Sequence, residues 1–298
     1  MKDKAETDFL PLRFFYLYPL SFILYPFRVW YWTKMLFLIL AGAIVVWVAY
    51  ELITFPSISR LRTENPTTTS MIEYRISEAT AEGKEPRKYM IWVPMEQISP
   101  NLQRAVLAGE DARFFEHDGF DWKAIEAAWD EAVKEGEKES REECEQDAKA
   151  ANTPKKDCKP SEDDWIPPMP SFKRGASTVS QQLAKNLFLS EDRNFLRKGR
   201  EAVYTYFMER QLSKKRILEI YLNVIEWGDG IYGAEAASRN YFNKSASGLT
   251  AAEAAYLSAM IPSPLNIFNP AKNKKRVVRR QRVIARGMNS IKLDYANK

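Results

Sequence analysis

In the stretch GEDARFFEHDGFD, from Gly109 to Asp121, two acids stand side by side after the apolar run AVLAG. Six residues beyond Asp111 comes His117, the only histidine of the chain. A carboxylate serves as a general base when its proton affinity is raised, and burial and a helix C-terminal position both raise it. Helical spacing sets Glu110 one turn from Val106 and Leu107, so packing of that stripe would draw its carboxylate to the edge of a core. The plainer reading is an ion pair from Glu110 or Asp111 to Arg104 or Arg113. His117 reads as a hydrogen-bonded structural histidine in preference to a base.

A second block, GASTVSQQLAKNLFLSEDRNFLRKGREA, runs from Gly175 to Ala202. If Ser177 opens a helix, Ser177, Gln181 and Lys185 share one face, and Val179, Leu183 and Leu187 the other. The polar face offers hydroxyl, amide and ammonium donors, and Arg193, Arg197, Lys198 and Arg200 follow closely. Such a donor-rich surface suits an oxygen-rich anion such as pyrophosphate. Glu201, the acid within RKGREA, has a structural alternative in an i, i+4 pair with Arg197.

These residues need elements to hold them. A helix is expected from Ser99-Pro100 to Glu110. Another is expected after Ser213, where Ile217, Ile220, Tyr221 and Val224 follow the helical repeat. In TAAEAAYLSAMIPSP, Thr250 and Glu253 have capping-box spacing and Pro262 marks the end. Alternating strand patterns are scarce, and the fold class is mainly α.

The chain has 298 residues, 45% of them hydrophobic, enough for a packed core. Net charge is +5, unevenly spread. Asp130 to Asp164 holds 13 acids against 7 basic residues, leaving +11 on the remainder. A basic body of this kind fits an anionic partner: membrane phosphate, pyrophosphate or nucleic acid. The interval from about 130 to 171 is charged, poor in large apolar residues and Pro-rich at its end. It reads as an inserted, partly disordered loop. Both cysteines, Cys144 and Cys158, lie in it. On the oxidising side of a membrane they would pair, closing a loop of about 15 residues worth roughly 3 kcal/mol; two free thiols are the alternative.

Residues 35–55 form an apolar stretch preceded by Arg28 and Lys34. This predicts a transmembrane anchor with a cytoplasmic N-terminus. The aromatic segment before it, FFYLYPLSFILYPFRVWYW within residues 1–34, reads as interfacial, with a second span or re-entrant hairpin left open.

Four blocks, EDARFFEHDGFD, GASTVSQQLAKN, RKGREA and KKRILEIYLNVIEWGDGIYGAEAASRNYFNK, occur in this order in the peptidoglycan glycosyltransferase domain. The chain resembles that domain over roughly residues 94–270, the insert excepted. The domain occurs in monofunctional biosynthetic transglycosylases and in class A penicillin-binding proteins. An end soon after the domain resembles the monofunctional kind, and no Ser-x-x-Lys or Lys-Thr-Gly signals a transpeptidase.

The resemblance implies a mainly α, lysozyme-like, two-lobed fold on an N-terminal transmembrane helix, with residues 56–298 as a periplasmic domain at the bacterial inner membrane. It also implies polymerisation of lipid II by β-1,4 bond formation, with Glu110 as base and Glu201 as a second essential glutamate. Asp111, Ser177, Gln181, Gln182, Lys185, Arg193 and Arg200 would contact substrate. No tightly bound cofactor is expected; a divalent cation such as Mg2+ is a candidate companion of the pyrophosphate. Partners would be lipid II, the lipid-linked glycan, the membrane, and cell-wall synthases or division proteins, but not nucleic acid. The long acidic insert and the aromatic preamble depart from the family pattern. A lysozyme-like glycan-cleaving enzyme and a non-catalytic cell-wall scaffold are the alternatives.

Overall fold

The computed structural model describes residues 21–150, 177–189 and 195–296. It divides into two units, Met1–Pro56 and Ser57–Lys298. Among the described residues, the first contains one helix, α1 (Ser21–Ile53), long and apolar enough to cross a membrane. At about 1.5 Å per residue its 33 residues exceed the roughly 30 Å of a hydrocarbon core. No break separates an aromatic segment ending at 34 from an anchor starting at 35: α1 runs through Pro26, Thr33 and Lys34. The polar pair is accommodated on the helix itself. The Thr33 hydroxyl donates to the Trp30 carbonyl (2.9 Å) and the Lys34 ammonium lies 3.6 Å over the Trp30 ring. The possible second segment before Ser21 lies outside the described residues.

The second unit is mainly α, as expected. Its helices are α2 (Ser70–Ala81), α3 (Pro100–Glu110), α4 (Trp122–Ala150), α5 (Val179–Phe188), α6 (Phe195–Gln211), α7 (Lys214–Val224), α8 (Ala234–Phe242), α9 (Ala251–Met260) and α10 (Pro270–Gly287). A small sheet of β1 (Tyr89–Met90), β2 (Glu226–Gly228) and β3 (Ile231–Tyr232) has the order β1-β3-β2. β3 is parallel to β1 and antiparallel to β2.

The predicted starts hold. Ser99 caps α3 with Pro100 in its first turn, Ser213 caps α7, and Thr250 with Glu253 forms a capping box on α9. Each satisfies N–H groups that a helix leaves without internal partners. Ile217, Ile220, Tyr221 and Val224 are all buried.

Two expectations change. Residues 130–150 are not loop but the continuation of α4. The Glu- and Lys-rich sequence that argued against a core is also good helix-forming sequence, and a solvated helix needs little burial. Beyond Ala132 the described residues of α4 include no buried apolar side chain. Cys144, half-buried on this part of the helix, is disulfide-bonded. Cys158 and the rest of the insert to 171 lie outside the described residues. In addition, Thr178 rather than Ser177 caps α5, in a reciprocal box with Gln181.

Candidate active site

Three helices bring the chemistry together. α3, α9 and α10 pack closely: a Cβ on Gly109 would lie 2.9 Å from the Ser258 hydroxyl of α9 and 3.1 Å from Ile284 of α10. Glycine therefore lets α10 approach α3 one residue before Glu110, and α10 delivers Arg280 to the end of α3.

Glu110 is the last residue of α3 and its side chain is only 7% exposed. One carboxylate oxygen accepts from the Arg280 guanidinium at 2.8 Å, and the other from the Gln182 amide of α5 at 3.0 Å. Arg280 also donates to the Gly109 carbonyl at 3.0 Å. Burial pushes the Glu110 carboxyl above its ordinary value, against the opposing pull of Gln182 and Arg280. Neither Arg104 nor Arg113 is the partner: Arg113 pairs with Asp121.

Asp111 has a different task. Its carboxylate accepts from the Val179 N–H at the start of α5 (3.0 Å) and contacts His117 Nε2 at 2.9 Å. The Gly119 N–H donates to His117 Nδ1 at 3.2 Å, so the ring proton lies on Nε2 and is given to Asp111. His117 is thus the structural histidine expected, and Asp111 locks the end of α3 to the start of α5.

On α5, the Gln181 side chain is turned back to the Thr178 N–H (3.0 Å) and buried, so the capping box uses it. Its place on a free donor face is lost, because Thr178 as cap shifts the helix start by one residue. Val179, Leu183 and Leu187 face the core as predicted. Gln182 links Glu110 to Tyr221 of α7, whose hydroxyl donates to the Gln182 oxygen at 2.7 Å. Ser177 is half-buried before the cap, and Lys185, also half-buried, lies one turn beyond Gln182.

α6 packs against α5 and carries Arg200 and Glu201. Glu201 is 3% exposed, with its oxygens held by Arg197 (2.9 Å) and Lys198 of the preceding turn. Arg193 lies outside the described residues.

Sequence reasoning missed Arg280 and the polar role of Tyr221. Arg280 sits in KKRVVRRQR, where no spacing singles out one cation, and Tyr221 was read only as part of an apolar stripe.

Among the described residues, one cluster of side chains could hold a cation. Asp111, His117 and Asp121 converge, with one ligand atom from each within 4.8 Å of the others. Asp111, however, is committed to Val179 and His117, and Asp121 to Arg113 and the Ala124 N–H. Glu201 has a cation on each oxygen.

Glu110 is thus a buried carboxylate of raised proton affinity, held by groups from α5 and α10. The transglycosylase family model matches residues 77–141 and 169–289, and the chain belongs to that family. It is 39% identical to a biosynthetic peptidoglycan transglycosylase of Chromobacterium violaceum over 261 residues, 88% of this chain and 99% of the relative. A protein of the same description from Thiobacillus denitrificans is 40% identical over 251 residues, 84% and 93% of the two chains. One from Azoarcus sp. is 39% identical over 235 residues, 79% and 86%. The family match leaves out residues 142–168, a narrower insert than 130–171. The chain is a glycosyltransferase by family.

Proposed function

We propose that this protein polymerises lipid II into peptidoglycan glycan strands. The observation that carries the reading is Glu110: a buried acid of raised proton affinity, held in place by groups from two other helices and left able to take a proton. The acceptor sugar's 4-hydroxyl oxygen attacks the anomeric carbon of the lipid-linked donor. As the new bond forms, the bond from that carbon to the pyrophosphate oxygen breaks. Undecaprenyl pyrophosphate leaves with the electron pair, and the hydroxyl proton passes to Glu110. One inverting displacement turns an α-linked pyrophosphate into a β-1,4 bond, so no covalent enzyme intermediate is needed.

Lys185, Arg193 and Arg200 offset the charge that builds on the departing pyrophosphate. Glu201 orients Arg197 and Lys198 on that side. No step is routed through a divalent cation, because the acids of the cluster found among the described residues already have partners. Gln182 of α5, and Ser177 just before the α5 cap, border the site. Asp111 and Gln181 act by fixing α3 against α5 and by capping α5, which is a change from direct substrate contact.

We further propose that α1 anchors the protein in the bacterial inner membrane with the catalytic unit in the periplasm, where lipid-linked donor and acceptor are presented. Other cell-wall synthases or division proteins are proposed partners there. The test is to supply purified protein with labelled lipid II. Polymer is expected; release of fragments from preformed glycan, or no reaction, would overturn the reading.

A further inference from the structure

The amide of Gln182 stands between two buried groups. Its oxygen accepts from the Tyr221 hydroxyl at 2.7 Å, and its nitrogen donates to Glu110 at 3.0 Å and lies 3.5 Å from the Ser177 carbonyl. A primary amide fits the same space turned through 180°, so its shape alone does not choose the end that meets Glu110. The partner at the far end makes the choice. Two arrangements are self-consistent. If the phenol donates, the NH2 faces a carboxylate. If the phenol accepts, the amide oxygen faces Glu110 and requires a protonated acid.

Tyr221 is fully buried on α7, with no water-facing side. Burial also pushes its phenol well above the ordinary tyrosine range, so it keeps its proton for donation. The ionisable groups facing Glu110 are Arg280 from α10, Asp111 at the end of its own helix and Tyr221 from α7. From α5 the group in contact is the neutral Gln182 amide.

We propose that Tyr221 is a positioning residue that acts on Glu110 through Gln182: its donated hydrogen bond fixes the amide with the NH2 turned to the carboxylate. Tyr221 touches no substrate in this role. It sets the direction of a donor that favours ionised Glu110, and so keeps the base ready at neutral pH despite its burial. The inference rests on the reading of Glu110 as the base.

The experiment is a pH–rate profile of lipid II polymerisation by the full chain in detergent, for wild type, Tyr221→Phe, Gln182→Met and the double variant. Removing the fixed donor removes a stabilising bond from the charged form. The acid limb should therefore move to higher pH in both single variants, by on the order of half to one pH unit for a neutral hydrogen bond. The double variant should match Gln182→Met, because in this role Tyr221 acts on Glu110 through the Gln182 amide. A rate lowered equally at all pH values in Tyr221→Phe, or additive shifts in the double variant, would overturn the inference. If Tyr221→Phe fails to fold, Tyr221→Met, which also lacks the hydroxyl, is titrated in its place; an unmoved limb in it or in Gln182→Met refutes the chain of bonds. An infrared titration of the Glu110 carboxyl band, assigned by its loss in Glu110→Gln, measures the same shift without turnover. Wild type making no polymer would sink the proposed function, while the infrared titration would still judge the positioning role.

Discussion

Glu110 and Glu201, two of the buried glutamates, are held in opposite ways. Glu201 takes its partners from its own helix, Lys198 and Arg197, three and four residues back. Glu110 takes Gln182 from 72 residues away and Arg280 from 170. With a cation on each oxygen, Glu201 is a buried anchor for two basic side chains. Glu110 has one cation and one neutral amide, and burial outweighs both, so it is the one suited to gain a proton. Burial is common to both; the balance of partners is what differs.

The sharpest way to break the comparison is Glu110→Gln. It is isosteric and removes the base, so polymer synthesis should fall by more than the roughly 10²–10⁴-fold typical of general-base loss. Circular dichroism should remain that of the wild type. A variant keeping a tenth of normal rate would place the base elsewhere, with Asp111 examined first.

Glu201→Gln should cost less, and in a different way. Loss of a charge-assisted contact of roughly 1.5–3 kcal/mol corresponds to a drop of about 10- to 150-fold. The acid limb of the pH profile should stay where it is in wild type, because the residue organises cations and takes no proton from substrate. A limb that moved would make the two glutamates alike. Lys185→Ala and Arg193→Ala, at the proposed anion contacts, should each weaken inhibition by inorganic pyrophosphate by about tenfold or more, the scale of one charge-assisted bond. Unchanged inhibition in both would mean the anion site has been misplaced.

A smaller effect is thermodynamic. The folded state binds the Glu110 proton more tightly than the unfolded chain, so this group favours folding most below the ordinary value of 4.5. Its contribution declines as pH rises from there through the raised folded value, then levels off. Denaturant titrations of wild type and Glu110→Gln across pH isolate the term, since glutamine does not titrate. A stability difference that is flat with pH would show that burial leaves Glu110 unperturbed.

The least effect is expected from the insert. Replacing Glu142 to Pro168 with a short Gly/Ser linker removes the segment outside the family match and the end of α4, including disulfide-bonded Cys144. Thermal melting of the catalytic unit should shift by no more than a few degrees, a ΔΔG on the order of 1 kcal/mol, and polymer should still form. Failure to fold would mean that the end of α4 belongs to the core.

Much of this was legible in local sequence. Ser99-Pro100, Ser213 and the Thr250/Glu253 pair announce helix starts because capping uses atoms only two or three residues apart. The periodic stripes beneath Glu110 and along α7 predicted burial, and the Arg197–Glu201 pair lay at helical spacing. Where competing local signals were close in strength, sequence misplaced the result. Ser177 and Thr178 are both good caps, and only Thr178 has Gln181 at the spacing that closes the box. The acidic run after Asp130 looked like loop because it lacks apolar residues, although Glu and Lys favour a solvated helix.

The amino-acid order by itself determined the apolar span, the helix starts and the burial of the α3 stripe, since each depends on neighbours within a few residues. Tertiary structure decided which arginine among many reaches Glu110, that a core tyrosine spends its hydroxyl on Gln182, and that Asp111 serves as a strut. Those outcomes depend on how closely α10 and α7 approach α3 and α5. The approach of α10 turns on the absence of a side chain at Gly109, and its consequence appears only when residues 170 positions apart are packed together.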